Sequence, residues 1–133
     1  MVSIKNFKEL SFLVYGLGIT GKSVVKFFKK NKINNFQVWD DNNKKFFKKK
    51  RPLNLNKALK KIDYIVMSPG VNINTSRHGI ILKKYKKKII TDLDLIFRLK
   101  KFYKSIVVTG TNGKSTTCKI LYHLLKKNKY ETI

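Results

Sequence analysis

Two glycine-rich turns, each entered from an apolar run and left through a helical pattern, set the narrowest limits on how this chain can fold. The second is Thr109-Gly110-Thr111-Asn112-Gly113-Lys114-Ser115-Thr116. It follows Ile106-Val107-Val108 and precedes a pattern that puts Cys118, Leu121, Leu124 and Leu125 on one side. The first is Gly16-Leu17-Gly18-Ile19-Thr20-Gly21, after the apolar run Ser11-Phe12-Leu13-Val14-Tyr15. A strand that passes into a helix through glycines is the connection of a parallel sheet. The expected fold is therefore α/β. A Rossmann-like parallel-sheet domain covers residues 1–91, and residues 92–133 open a P-loop ATPase-type domain with its first strand, phosphate loop and helix.

The second turn carries the plainer chemistry. Backbone N–H groups that converge at a helix N-terminus favour bound phosphate, and the helix dipole adds to that preference. Gly113 lets the backbone approach the anion, Lys114 reaches the outer phosphates of a nucleotide, and the hydroxyl of Ser115 or Thr116 serves its Mg²⁺. The common phosphate-loop pattern has a glycine where this chain has Val108, so the loop is the shorter form G-T-N-G-K-S. The strand before it and the helix after it supply the context that the motif requires.

The first turn reads G-x-G-x-x-G and leads into a helix with Val24, Val25, Phe27 and Phe28 inward and Lys22, Lys26, Lys29 and Lys30 outward. Thr20 is placed to cap that helix. A second strand, Phe36-Gln37-Val38-Trp39, ends in Asp40 and Asp41, where a dinucleotide fold places an acidic ribose contact. Residues 42–61 read as a solvated, lysine-rich stretch over a thin apolar strip of Phe46, Phe47, Leu53, Leu55 and Leu59, with short helical pieces at most. Ile62 to Met67 is a third, buried strand that stops at the turn Ser68-Pro69-Gly70. A helix over Ser76 to Tyr85, a short strand at Lys88-Ile89-Ile90, and a helix capped by Thr91 or Asp92 follow. Three carboxyl strand ends thus converge, at the glycine loop, Asp40 and Gly70, and ligands of open parallel sheets bind at such ends. On these residues alone an NAD(P)-binding module using Gly16, Gly18, Gly21 and Asp40 is an equal reading of the first domain. His78 and His123 lack partners at ligand spacing and are expected on the surface, and Cys118 on the packed face of its helix.

Composition narrows the class. With 133 residues the chain holds about one domain's worth of core. No run reaches the ~18 apolar residues of a membrane span, and residues 1–10 lack a secretory signal's apolar stretch. A cytoplasmic protein without membrane insertion is expected. The net charge of +24 raises a nucleic-acid role, but only Arg51, Arg77 and Arg98 of the 31 basic residues are arginines, and the lysines lie on every helix instead of one stripe. No specific nucleic-acid partner is expected. Beyond the phosphate-loop helix only Tyr130 to Ile133 remain, whereas a nucleotide-hydrolysing domain needs further strands and an acidic Mg²⁺ group. The expectation is a fragment, inactive by itself.

Two glycine loops in this order, with S-P-G between them and T-G-T-N-G-K-S-T as the second, resemble the Mur ligases of peptidoglycan synthesis. The segments V-x-G-L-G-x-T-G, I-V-x-S-P-G-V and T-D-L-D-L-I-F are most similar to the D-glutamate-adding branch, whereas the related folate polyglutamate synthases usually carry G-K-G-S in the loop. The resemblance implies that the first domain holds a uridine nucleotide, not NAD. Gly18, Ile19, Thr20, Asp40 and Gly70 then contact UDP-N-acetylmuramoyl-L-alanine. Asp41 and Asn42 stand where the family pattern has a hydroxyl and an arginine, so no contact is carried over to them. Gly110, Thr111, Asn112, Gly113, Lys114, Ser115 and Thr116 match the ATP phosphate loop, with Lys114 as the catalytic group and Ser115 toward Mg²⁺. In the complete enzyme, the family's reaction converts the L-alanine carboxylate to an acyl phosphate, which the amine of D-glutamate attacks. The family's Mg²⁺-binding glutamate, carbamylated lysine, central-domain histidine and D-glutamate-binding third domain have no counterpart in these residues. A monomer is expected.

Overall fold

The computed structural model describes residues 7–42, 48–98 and 104–132, which divide into two units on either side of residues 102 and 103. The first unit is a four-stranded, all-parallel sheet. Its strands are β1 (Phe12–Tyr15), β2 (Phe36–Trp39), β3 (Tyr64–Met67) and β4 (Ile89–Ile90), in the spatial order β2-β1-β3-β4. The helices are α1 (Ile19–Lys30), α2 (Leu55–Lys61), α3 (Gly79–Lys84) and α4 (Asp92–Arg98), with 3₁₀ turns at Lys48–Lys50 and Lys86–Lys88. The parallel α/β class expected from the glycine turns is present in this unit.

Why these strands are nearly all apolar follows from the layers. Side chains alternate across a strand, so a sheet covered on both faces wants apolar residues at every position. All four residues of β1 are buried. Phe12 and Val14 join Val24, Val25, Phe28, Phe36, Val38, Val66 and Leu95 in one core cluster, between the sheet and α1 and α4. Leu13 and Tyr15 join Leu55, Leu59, Ile62, Ile65, Met67 and Leu82 in the other, beneath α2 and α3. Phe12, Phe28 and Phe36 form a chain of tilted rings 4.9 and 5.4 Å apart.

Polar groups lock the ends. At the amino ends of β1 and β3, Asp63 Oδ2 accepts from Ser11 N and Ser11 Oγ at 2.8 and 2.7 Å. Those bonds hold the Asp63 carboxyl below its ordinary range. Thr91 and Asp94 cap α4 reciprocally: Asp94 N donates to Thr91 Oγ1, and Thr91 N and Oγ1 donate to Asp94 Oδ2. Lys88 Nζ donates to the carbonyl oxygens of Leu59, Lys60 and Ile62 around the end of α2, at 3.1, 3.1 and 2.6 Å. Those carbonyls have no helical partner, and a cation there also suits the helix dipole.

Several expectations need correction. Thr20 does not cap α1: the helix begins at Ile19 with Gly18 as N-cap, and no side chain caps it. The helix expected over residues 76–85 is only Gly79–Lys84, because residues 72–78 fold into turns held by Asn72 and Ser76. Leu53 is fully exposed and no part of an apolar strip, although Leu55 and Leu59 are buried; Phe46 and Phe47 lie outside the described residues. Just past Thr91, α4 buries Leu95 in the core of the first unit.

The second unit is a loop followed by a fifth helix, α5 (Lys114–Lys127). The strand expected at Ile106 to Val108 is not formed, and Ile106 and Val107 are 61% and 80% exposed. A strand is defined by its neighbours, and this unit offers none among the described residues. For the same reason α5 buries no residue, and Cys118, expected on a packed face, is exposed.

Candidate functional site

The carboxyl ends of β1, β2 and β3 are tied into one surface by hydrogen bonds between their loops. Gly16 N donates to Trp39 O at 2.8 Å, and Ser68 N to Tyr15 O at 3.0 Å. The buried hydroxyl of Ser68 donates to Gly16 O at 2.8 Å, so the S-P-G turn is bonded directly to the glycine loop. Gly16 adopts φ +90°, and a Cβ there would come within 2.7 Å of Val71 Cγ2. A Cβ on Gly21 would lie 1.9 Å from Gly16 O, so only glycine lets the first turn of α1 close on its own loop.

The glycines that face outward behave differently. Nothing lies within 4 Å of the position a Cβ would take on Gly18 or Gly70, and Ile19 is 90% exposed. Close packing below and open backbone above is what an anion-binding turn requires. Thr20 is half-buried in the first turn of α1. Asp40 turns its carboxylate onto the loop: Oδ2 accepts from Leu17 N at 2.6 Å and Oδ1 from Asn42 N at 2.9 Å. It therefore braces the glycine loop as well as marking the strand end. The structure brings Gly18, Ile19, Thr20, Asp40 and Gly70 together on one surface of the first unit.

A polar cluster beside this surface was not foreseen. Asp41 accepts four hydrogen bonds: Oδ1 from Trp39 Nε1 (3.0 Å) and His78 Nδ1 (2.8 Å), and Oδ2 from Tyr15 OH (2.8 Å) and Ser76 Oγ (3.2 Å). Burial pushes the Asp41 carboxyl up, but the bonds from Trp39, Tyr15 and His78 outweigh it and hold the group below its ordinary value. Tyr15 is driven the other way, chiefly by burial and then by the neighbouring Asp41 carboxylate, against the Ser76 bond, so its hydroxyl stays protonated. His78, expected as an ordinary surface residue, is half-buried and pairs with Asp41. The signal was available: a buried tyrosine at the end of an apolar strand needs a partner for its hydroxyl, and Trp39 and Asp41 share a side of β2's end.

In the second unit, Gly110 and Gly113 take φ +147° and +75°, and Gly113 is the N-cap of α5. Lys114 Nζ folds back onto the carbonyl oxygens of Gly110 and Thr111 and holds the turn closed. No atom lies within 4 Å of a Cβ on Gly113. Thr111, Asn112, Ser115 and Thr116 are exposed around it.

The family model Mur ligase MurD-like, N-terminal domain, matches residues 10–91. Among curated relatives, the UDP-N-acetylmuramoylalanine--D-glutamate ligase of Rickettsia prowazekii is 39% identical over 129 residues, covering 92% of this chain and 28% of its own length. Ligases of the same name from Aquifex aeolicus (34% over 118 residues; 89% of this chain, 26% of theirs) and Francisella philomiragia (35% over 130 residues; 96% and 29%) also match. The chain spans somewhat more than a quarter of the length of these relatives. By the match over residues 10–91, the chain belongs to the MurD-like Mur ligases and carries their N-terminal domain.

Proposed function

We propose that this chain is the UDP-substrate-binding part, with the opening of the ATP-binding part, of a ligase that joins D-glutamate to UDP-N-acetylmuramoyl-L-alanine in peptidoglycan synthesis. One observation carries the reading: the braced glycine loop leaves Gly18, Ile19 and Gly70 open at the carboxyl ends of β1 and β3, with Asp40 beside them. Gly18, Ile19, Thr20, Asp40 and Gly70 hold the uridine nucleotide. The domain division near Thr91 belongs to the same proposal, as do a cytoplasmic location, a monomeric chain and the lack of a specific nucleic-acid partner. Among the described residues no helix is long and apolar enough to cross a membrane.

The residues of the second loop fit a nucleoside triphosphate. Two glycines with positive φ, open space over Gly113 and the first-turn N–H groups of a 14-residue helix make an anion cradle. Gly110, Thr111, Asn112, Gly113, Lys114, Ser115 and Thr116 would hold the phosphates of ATP, with Ser115 toward Mg²⁺. Bound ATP supplies the phosphoryl group that makes the substrate carboxylate reactive as an acyl phosphate. Lys114 contributes positive charge where the phosphoryl oxygens gather it. The 133 residues alone are expected to lack ligase activity.

Titration of the purified chain with UDP-N-acetylmuramoyl-L-alanine, UDP and NADH tests the reading. Binding of both uridine ligands with no response to NADH is expected. Tight NADH binding with none for UDP would establish a dinucleotide module and overturn the proposal.

A further inference from the structure

Three helices of the first unit end in lysine pairs, and the topology brings those ends together. In a parallel sheet a connecting helix runs back against the strands, so its last turn lies at their amino ends. There α1 closes with Lys29 and Lys30, α2 with Lys60 and Lys61, and α3 with Lys83 and Lys84. The 3₁₀ turn Lys86–Lys88 then leads directly into β4. Lysines that read in sequence as scattered over every helix thus share one end of the sheet, opposite the glycine loop, Asp40 and Gly70.

Lys88 joins two of these helix ends into one surface, since its Nζ donates to Lys60 O and Ile62 O. Around it Lys60, Lys61, Lys83, Lys84, Lys86 and Lys87 are exposed, and none of the six has a hydrogen bond or ion pair among the described residues. Little negative charge opposes them. Asp40, Asp41, Asp92 and Asp94 follow β2 and β4, at the other end of the sheet. Asp63 lies near Lys88, but its carboxylate is taken up by Ser11 N and Oγ, which leaves Glu9, just before β1, as the other acid. A helix dipole accounts for a cation or two in each last turn. It does not account for Lys86 and Lys87, which lie beyond the C-cap of α3.

We propose that this end of the first unit docks on an anionic phospholipid bilayer through those six lysines. Ammonium groups supplied by separate elements at one end of a sheet suit an extended negative surface, and their apolar stems let the charges reach lipid phosphates. An open hollow of about 640 Å³ among residues 83–88 has room for a headgroup phosphate. Nucleic acid would call for stacking rings and arginine forks. No arginine lines the hollow, and the one ring there, Tyr85, is half-buried with Lys88 Nζ 5.5 Å from its centroid. The attachment is peripheral and electrostatic. It leaves the glycine-loop surface facing away from the bilayer, and it draws nothing from the uridine reading.

The test is cosedimentation of the 133-residue chain with vesicles of phosphatidylcholine, with and without about 30% phosphatidylglycerol, at about 0.1 M salt. Binding to the anionic vesicles alone is expected, with release at about 0.5 M salt. Changing Lys83, Lys84, Lys86 and Lys87 together to Gln should weaken that binding at least about tenfold. Changing Lys22, Lys26, Lys57 and Lys119 to Gln removes the same charge elsewhere and should weaken it less than about threefold. Thermal melts show that each variant is folded, and the pair Lys86→Gln and Lys87→Gln, with a loss of about threefold or more, serves if the fourfold variant is not. Equal losses in the two fourfold variants would mean that net charge and not this face is responsible, and would overturn the proposal. So would failure of the unaltered chain to bind anionic vesicles. Tighter binding to duplex DNA than to those vesicles, lost in the same lysine variant, would assign the face to nucleic acid instead.

Discussion

The two glycine turns of this chain have the same sequence logic and different fates. At Gly16–Gly21 the strand before, the helix after and three neighbouring strands are all formed, and the turn is bonded to Trp39, Asp40 and Ser68. At Gly110–Lys114 the loop shape and the helix are formed, but the strand is not, and α5 buries nothing. Local chemistry suffices for a turn: glycines supply positive φ, and Lys114 caps the loop's own carbonyls. A strand has no such autonomy, because its N–H and C=O groups are satisfied only by another strand. The binding geometry of the second loop is thus encoded within about eight residues, and its support is encoded elsewhere.

The sharpest way to break this contrast is to remove packing from each unit in turn. Phe28→Ala in the first core should cost about 3–5 kcal/mol, enough to lower Tm by ~12 °C or more or to unfold the chain. Leu121→Ala on α5 should leave thermal unfolding by circular dichroism within about 0.5 kcal/mol of the parent. Equal losses would mean that α5 is packed. Next in size, Gly21→Ala drives a methyl group against Gly16 O and should cost about 3 kcal/mol, with loss of UDP binding. The outward-facing Gly18→Ala should change stability by well under half as much, measured in the same melts.

Acid should separate the units by a smaller margin. Asp41 and Asp63 both ionise more readily in the folded chain than in the unfolded one, so their contribution is present in full above the ordinary carboxyl pKa of 3.8. As pH falls from there through the depressed folded values, that contribution is lost. The first unit should therefore lose stability below about pH 4, and Asp41→Asn should flatten the decline. A decline of unchanged slope in Asp41→Asn would remove that residue from the account. The least effect on stability is expected from Lys114→Ala: no change in Tm for this chain, but loss of turnover in a full-length ligase with UDP-substrate affinity retained. Unchanged turnover would remove Lys114 from the chemistry.

Much of the first unit was legible because its signals are local and repeated. Short apolar runs ending at Gly16, Asp40, Ser68 and Thr91 gave all four strands to within two residues, and of the two candidate caps of α4 it is Thr91 that bonds Asp94. What escaped detection was what depends on distant partners. Nothing near Leu53 says that it points to solvent while Leu55 does not. His78 becomes part of the site only because residues 72–78 turn back toward Asp41, thirty-seven positions earlier. Ser68 could be read as part of a turn, but not as the donor that joins two loops. The missing strand at residues 106–108 is the converse case, a correct local pattern without the neighbours that would realise it.

Lys88, whose ammonium closes over three carbonyl oxygens at the end of α2, divides this chain's lysines into two kinds. Unlike the exposed amines of Lys86 and Lys87, it is fixed in place by three carbonyl oxygens, each within 3.1 Å. An amine reagent applied gently to the folded protein would thus label its neighbours Lys86 and Lys87 early and Lys88 late. The amine that yields only when the chain opens becomes a built-in reporter of unfolding.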